Sequence, residues 1–160
     1  MNPETLLHIK TVAKYLNLFS CELLKRAISH DQSKLEEPEA SIFEMYTSKL
    51  HGTTYGSDEY KQFLKEMQPA LEHHYANNRH HPEFNNLNGY AIQTLNDPIR
   101  SMDLFDIVEM ILDWLASSKR HANGNIGRSI EINEKRFGIN DQLSQIFRNT
   151  VARLEEMDKG

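Results

Sequence analysis

The histidines are the residues of this sequence best suited to bind a metal, and half of them are clustered. The chain has 8 histidines, and His73, His74, His80 and His81 fall within one short stretch. Neutral imidazole nitrogens are common ligands of divalent transition metals. The cluster therefore indicates a metal site. The spacing alone does not show which of His80 and His81, both in an expected loop, would be a ligand.

A second group of polar residues stands at the end of a predicted helix, in the order His30, Asp31, Lys34. An adjacent imidazole and carboxylate can bind one divalent metal, and the second carboxylate oxygen can bridge to another metal. Lys34 would then hold a phosphoryl oxygen as a point charge. By itself the pair also fits a histidine at a helix end beside a capping aspartate, so the metal interpretation depends on the other candidate ligands.

Carboxylates follow one side of a helix predicted over residues 104–118. Apolar residues cover most of its circumference, which is typical of a buried helix. At about 100° per residue, Asp106, Glu109 and Asp113 fall within one stripe. Ionised carboxylates are costly to bury unless a cation or hydrogen-bond donors meet them. The stripe therefore faces either water or a positively charged centre.

The elements around these residues predict an all-α fold, a compact helical bundle of about six to seven helices in a single domain spanning residues 1–160. No segment alternates with a period of two over a strand's length, and no repeat or flexible linker divides the chain. We expect Asn2 to cap a first helix that carries His8. A stretch rich in Asn, His and Pro at 77–88 predicts a loop. The other predicted helices cover about 19–29, 39–50, 58–75, 104–118, 126–136 and 141–157.

The composition excludes several classes of protein. Because 18 Lys and Arg stand against 23 Asp and Glu, the chain is mildly acidic, which argues against stable binding to nucleic acid or to an anionic membrane. No apolar run approaches the ~20 residues that a membrane span needs. The single cysteine, Cys21, has no partner for an internal disulfide, which favours a cytoplasmic setting. We expect Cys21 to be a small buried residue, and His51 and His121 to be surface residues.

In their order along the chain, these residues resemble the HD superfamily of metal-dependent phosphohydrolases. The matching pattern is a first histidine at His8, the His30-Asp31 pair, a histidine-rich segment and then Asp113. In that superfamily the first histidine lies on one helix, the HD pair ends another, and the last aspartate lies on a buried later helix. The resemblance therefore implies an HD-type helical domain with a metal centre.

A closer similarity is to the HD-GYP cyclic-dinucleotide phosphodiesterases, through His-Asp-x-x-Lys at 30–34 and the His-His pair at 73–74. Tyr75 replaces the glutamate of that group, and His-His-Pro at 80–82 replaces its Gly-Tyr-Pro, so a cyclic dinucleotide is not the expected substrate. The whole chain also resembles a small family of phage and bacterial proteins without a known reaction. The stretches that carry this likeness are Asn-Arg-His-His-Pro-Glu at 78–83 and Ser-Ile-Glu-Ile-Asn at 129–133.

The resemblance implies a metal-ligand set, in which Asp31 would bridge. Nitrogen and oxygen ligation suits one or two divalent transition metals, namely iron, manganese, cobalt, nickel or zinc. Lys34 is the expected phosphate contact. Arg79, Arg120 and Arg128 lie near these residues in the sequence and are further candidates, the alternative for each being an ordinary solvated charge. The expected metal ligands are His8, His30, Asp31, His73, His74, His80, His81 and Asp113.

These expectations together predict a phosphohydrolase that cleaves a phosphate ester or phosphoanhydride, in a nucleotide, with a metal-activated hydroxide. Its partner would be a small phosphorylated molecule, and the chain would act as a monomer or homodimer. Two other functions stay open. An HD-type di-iron oxygenase would carry iron and consume dioxygen. A non-catalytic metal-binding or nucleotide-binding module would hold a structural metal, whose chelation would unfold it without any hydrolysis being measured.

Overall fold

Seven α-helices make up most of the chain that this computed structural model describes, namely residues 2–54, 56–84, 98–120 and 124–160. No strand occurs within those ranges, so the predicted all-α fold is confirmed, as one compact domain. Among the described residues, no helix is both long enough and apolar enough to cross a membrane. The helices are α1 (Pro3–Ser29), α2 (Glu39–His51), α3 (Asp58–Glu66), α4 (Gln68–Asn77), α5 (Leu104–Lys119), α6 (Ile126–Phe137) and α7 (Asp141–Met157), with 3₁₀ turns at Gln32–Leu35 and Pro98–Ser101.

Side-chain caps begin four of the helices at the predicted positions. Asn2, Ser57 and Asn140 each accept a hydrogen bond from a backbone N–H in the first turn that follows. Such a bond satisfies a donor that the helix itself leaves free. Asp103 does the same for α5 by accepting a hydrogen bond from the backbone N–H of Asp106, and the Asp106 carboxylate in turn accepts one from the backbone N–H of Asp103. These starts depend on residues two or three positions apart, which is why the sequence predicts them.

The first helix is longer than predicted. The expected break before residue 19 is absent, and α1 runs unbroken from Pro3 to Ser29. No glycine or proline interrupts its interior, so nothing in the local sequence ends the helix early. His8 therefore lies on the helix that His30 caps at its C-terminal end, roughly 33 Å from His30 at 1.5 Å per residue. The predicted convergence of His8 with His30 is wrong.

The predicted helix at 58–75 is divided in two by proline. α3 ends at Glu66, Met67 stands between the helices, and α4 begins at Gln68 with Pro69 in its first turn. Proline lacks the N–H that a continuous helix needs, and its ring clashes with the carbonyl group four residues earlier. The break lets α4 take its own direction, and α4 carries two of the clustered histidines.

The hydrophobic core lies where α5, α6 and α7 pack together. Phe147 and Met110 are nearly fully buried there, and Trp114 stacks between helices, 6.3 Å from the ring of Phe137. Leu104 and Leu112 of α5 are nevertheless 62% and 39% exposed, so α5 is less buried than its largely apolar circumference predicts. One side of α5 faces the core, and another faces the end of α1.

A second group of elements packs at the end of α1. The 3₁₀ turn at Gln32–Leu35 contacts both α2 and α4, and α2 and α4 contact each other. Phe19 of α1 stacks on Phe105 of α5 at 4.4 Å between ring centroids, which joins the two groups. Cys21, expected to be buried, is exposed. Residues 85–88 of the predicted loop and His121 lie outside the described residues.

Candidate metal centre

The chain reverses direction at the end of α1, and this reversal creates the site. α1 ends at Ser29, and Asp31 has a left-handed backbone with φ of 56°. Aspartate is one of the few residues besides glycine that tolerates this conformation. The 3₁₀ turn that follows turns the chain back toward α2 and α4. The carboxylate of Asp31 is thereby left between the end of α1, the start of the loop after α4, and α5.

Three imidazoles surround the Asp31 carboxylate with their Nε2 atoms. Asp31 Oδ1 lies 3.4 Å from His74 Nε2 and 3.5 Å from His80 Nε2, and Asp31 Oδ2 lies 3.4 Å from His30 Nε2. Asp113 Oδ1 of α5 is 3.8 Å from the same His30 nitrogen. Atoms bound at about 2.1 Å to one tetrahedral metal lie about 3.4 Å from each other. The spacing of these atoms therefore fits ligands that share a cation.

Two of these atoms are buried polar groups that lack a hydrogen-bond partner. Among the described residues, no donor pairs with Asp31 Oδ1 and no group pairs with His80 Nε2. Leaving a buried polar atom unsatisfied costs ~1–3 kcal/mol, and more for a charged one. Both atoms face each other across 3.5 Å, so a cation between them would satisfy both at once.

The potential ligand atoms form overlapping groups in which all members lie within 4.8 Å of one another. The first group combines Asp31 with His74, His80 and His81, and the second combines His30, Asp31 and Asp113. Asp31 belongs to both, and it reaches them through different oxygens. This is the arrangement that a bridging carboxylate between two metals requires.

Two further carboxylates hold the imidazoles in orientation. Glu109 Oε1 lies 2.9 Å from His30 Nδ1 and 3.2 Å from His80 Nδ1. Glu39, which is fully buried, lies 2.9 Å from His74 Nδ1 through Oε2. An ionised carboxylate only accepts hydrogen bonds, so each of these Nδ1 atoms donates and each Nε2 keeps a lone pair. The Nε2 atom of His74 lies 2.8 Å from His81 Nε2 and 3.4 Å from Asp31. Histidines that ligate metals are commonly oriented by a carboxylate in this way.

His73 does not join the others, although its neighbour His74 does. His74 is almost fully buried. The His73 side chain is 37% exposed and lies 2.7 Å from Glu39 Oε1, on the outer side of that carboxylate. The expectation that His73 is a ligand is therefore not borne out by the geometry. His80 and His81, between which the sequence left the choice open, both face the centre.

Charge compensation extends outward from the ligands along α5. Burial opposes it, but hydrogen bonds from two imidazoles and from Arg26 hold the pKa of Glu109 far below its ordinary value. Arg26 donates at 2.7 Å to Asp106, which is fully buried. Arg79 holds the same carboxylate from the other side. Asp106 and Glu109 thus face cationic and hydrogen-bonding groups rather than bulk water, the second of the two outcomes expected for the stripe.

On one side of the centre, at His81, the neutral form of the imidazole is favoured. Burial, followed by the repulsion of neighbouring His80 and His74, pushes the pKa of His81 well below its ordinary value. The hydrogen bond to Glu109 raises the pKa of His30, although burial opposes the shift. A neutral imidazole offers a lone pair to a cation, so the side nearest His81 is the better prepared to bind one.

Lys34 lies on the side of Asp31 that faces away from His80. Its Nζ is 2.5 Å from Asp31 Oδ2 and sits over the ring of Phe43, 5.2 Å from the centroid. Burial works against it, but the contact with Lys34 keeps the pKa of Asp31 below its ordinary value. An ammonium group at this position neutralises the bridging carboxylate and can meet an anion that approaches it.

The other predicted substrate contacts are not at the centre. Arg79 is bound to Asp106 and lies 3.5 Å from Asp103. Arg120 is exposed seven positions after Asp113, roughly 10 Å further along the helix axis. Arg128 is exposed on α6, a helix that packs against α5 and α7. His8, which was expected to be a metal ligand rather than a substrate contact, is exposed on α1 and lies far from His30.

Sequence reasoning missed the residues that support the ligands. Glu109 stood in the carboxylate stripe, but its spacing from Asp113 does not show that it would bind imidazoles. Glu39 is one acidic residue at the start of α2 and carries no motif. Ser33 donates to Glu39 at 3.1 Å, and Asn78 donates to Ser33 at 2.7 Å.

Comparison with known proteins places the chain in one family. The model of that family matches residues 1–158. The chain belongs to DUF5662, a family of unknown function. No curated protein and no solved structure matches the chain. The match includes every residue of the candidate metal centre, and it assigns no reaction.

Proposed function

We propose that this DUF5662 protein is a metal-dependent phosphohydrolase of the HD type, acting on a phosphate ester or phosphoanhydride, and we take a nucleotide as the substrate class. The observation that carries the proposal is the pair of unsatisfied buried atoms, Asp31 Oδ1 and His80 Nε2. They lie among imidazoles whose other nitrogens are taken by carboxylates. A protein interior rarely keeps such atoms without a ligand.

The residues present fit one or two divalent transition metals. Three imidazoles with one Asp31 oxygen make a nitrogen-rich set, and His30 with two carboxylates makes a mixed set. Both sets suit iron, manganese, cobalt, nickel or zinc better than magnesium. Bound there, such metals would lower the pKa of a coordinated water molecule and would neutralise a phosphoryl oxygen of the substrate.

The side chains of this chain would divide the remaining work. Asp31 bridges the two ligand sets, and Glu109 and Glu39 keep the imidazoles oriented. Lys34 is proposed to release Asp31 Oδ2 and to hold a phosphoryl oxygen of the substrate through its ammonium group. The apolar ring of Phe43 beneath that ammonium limits its hydration and strengthens its interaction with an anion.

The test begins with elemental analysis of the purified chain, paired with phosphate release from a panel of nucleotides. We expect transition metal to be bound and one class of nucleotide to be hydrolysed, with both lost in Asp31→Asn. Lys34→Met should keep the metal and lose at least about 100-fold in kcat/KM, the effect of removing one electrostatic stabiliser. Lys61→Met is the matched control, because Lys61 also pairs with an aspartate three residues earlier but is exposed.

Two results would overturn this proposal. One is unchanged metal content in a folded Asp31→Asn variant. The other is a metal-loaded chain that hydrolyses none of the phosphate esters and anhydrides, which would leave a metal-binding module.

The nitrogen-rich ligand set also supports a second candidate, a di-iron oxygenase. Four imidazoles belong to the ligand groups, and this is a ligand type that iron accepts. The two candidates differ in the metals that support activity and in whether dioxygen is consumed. An oxygenase would bind iron, show an iron-centred absorption spectrum and consume dioxygen, whereas a hydrolase would also be active with redox-inert zinc.

We further propose a cytoplasmic setting, since the single cysteine is suited to reducing conditions.

A further inference from the structure

The N-terminal two-thirds of α1 is not covered by the part of the chain that the structure describes. Every residue from 2 to 18 is exposed, and no residue of the whole helix is buried. Large apolar side chains are nevertheless frequent there, among them Leu7 at 64% and Tyr15 at 63% exposed. The contacts with α5 come from the later part of the helix, at Phe19 and Arg26. A helix with this much apolar surface is normally buried against another element.

The apolar surface of α1 includes one regular seam, which we define as Leu6, Ile9, Ala13, Leu16, Ser20, Leu23 and Ala27. Its spacing alternates between three and four residues through the whole helix, which is the heptad pattern of a coiled coil. Six of the seven residues are exposed, and Leu23 is partly buried. A seam of this type is completed by another helix of similar length.

The seam is complementary to itself when reversed. Large residues (Ile9, Leu16, Leu23) alternate with small ones (Ala13, Ser20, Ala27). The hydroxyl group of Ser20 donates a hydrogen bond to the backbone carbonyl of Leu16 in the same helix. If two copies run antiparallel with Leu16 opposite Ser20, every one of these large residues faces a small one. A parallel pair would instead set small against small and large against large. Interdigitation of large and small residues is the denser packing.

The area is also of the right order for association. A 27-residue helix is about 40 Å long and about 11 Å across, so it offers roughly 1,300 Å² of surface. Covering a little under half of it removes about 600 Å² from each protomer, near the ~800 Å² of a standard stable interface. We propose that α1 is a dimerisation helix, and that its occupant is the α1 of a second copy of this chain, antiparallel, with the two-fold axis near residue 18.

The first test is the mass of the full chain in solution, by sedimentation velocity over a range of concentrations. We expect a dimer of the 18.6 kDa chain. Leu16→Lys should raise the dimer dissociation constant at least about 30-fold, the effect of losing one central interface residue. Leu18→Lys is the matched control: it places the same charge on the side opposite the seam, at a residue 55% exposed against 62% for Leu16. Leu18→Lys should stay dimeric.

The second test addresses orientation. A spin label is attached to Thr5→Cys in a Cys21→Ser background, and the label-to-label distance is measured by pulsed electron resonance. The antiparallel arrangement places the labels about 39 Å apart along the axis, whereas a parallel one leaves them about 10 Å apart.

Three outcomes would overturn the proposal. They are a wild-type chain that is monomeric at its highest soluble concentration, a Leu18→Lys variant that dissociates as much as Leu16→Lys, and a short label distance. Circular dichroism of each variant establishes that α1 is still helical, so that a loss of mass reports association rather than unfolding.

Discussion

Replacing Glu109 by glutamine is the sharpest test of how the candidate metal centre is organised. Glu109 Oε1 accepts from His30 and lies 3.2 Å from the Nδ1 of His80, while Oε2 accepts from Arg26 at 3.2 Å. Glutamine has almost the same shape but one acceptor and one donor group. If its oxygen faces the imidazoles, its amide donor meets the Arg26 guanidinium. If the amide is reversed, it points a donor at two Nδ1–H groups, so one side of the network fails in either orientation.

The expected size of this effect follows from the number of ligands that Glu109 orients. Removing a carboxylate that orients one metal-bound histidine typically weakens metal affinity 10–100-fold. Glu109 orients two, so we expect Glu109→Gln to lie near the upper limit, about 100-fold. At about 1.4 kcal/mol for each factor of ten, this is about 2.8 kcal/mol. The change leaves Asp31, His74 and His81 untouched, so weakened binding rather than complete loss is expected.

The measurement is a competition titration of cobalt or zinc against a chelating indicator, with thermal unfolding to establish that each variant is folded. The control is Glu131→Gln, the same substitution at a side chain that is 62% exposed and 4.0 Å from Arg148. That control should bind metal as the wild type does. A folded Glu109→Gln variant with wild-type affinity would show that Glu109 does not orient the imidazoles of His30 and His80 toward a metal.

Three further changes test the ligand set and the fold. His74→Ala should lose most metal binding, whereas His73→Ala should change the affinity only a few-fold, because only the first ring reaches Asp31; equal losses in the same titration would contradict this. Phe147→Ala should lower the free energy of urea unfolding by about 3–5 kcal/mol, while Ile146→Ala, at a residue 57% exposed, should change it far less. Gly138→Ala should lower the free energy of unfolding by about 1–2 kcal/mol in the same assay, because a residue with a Cβ is strained at the φ of 66° found here. No atom lies within 4 Å of the added carbon, so the loss would report the backbone strain alone, and an unchanged value would show that this strain is relieved.

Much of the helical framework was predictable because it depends on neighbours. A cap such as Asp103 or Asn140 acts on N–H groups two or three positions away, so both ends of the interaction are visible in the sequence. The presence of His30, Asp31 and Asp113 in one centre was expected from a resemblance, and the geometry brings all three together.

The sequence by itself determined the helical class, most of the helix starts, and a stock of imidazoles and carboxylates able to bind a cation. Only the tertiary structure decided which of them meet. It separated His8 from His30 on one continuous helix, and it brought Glu39 and Glu109 to the imidazoles. It also bound Arg79 to Asp106 rather than leaving it for a substrate. The reason is that helical hydrogen bonds and caps join residues about four positions apart, whereas pairs such as His30 and Glu109 meet only when separate helices pack.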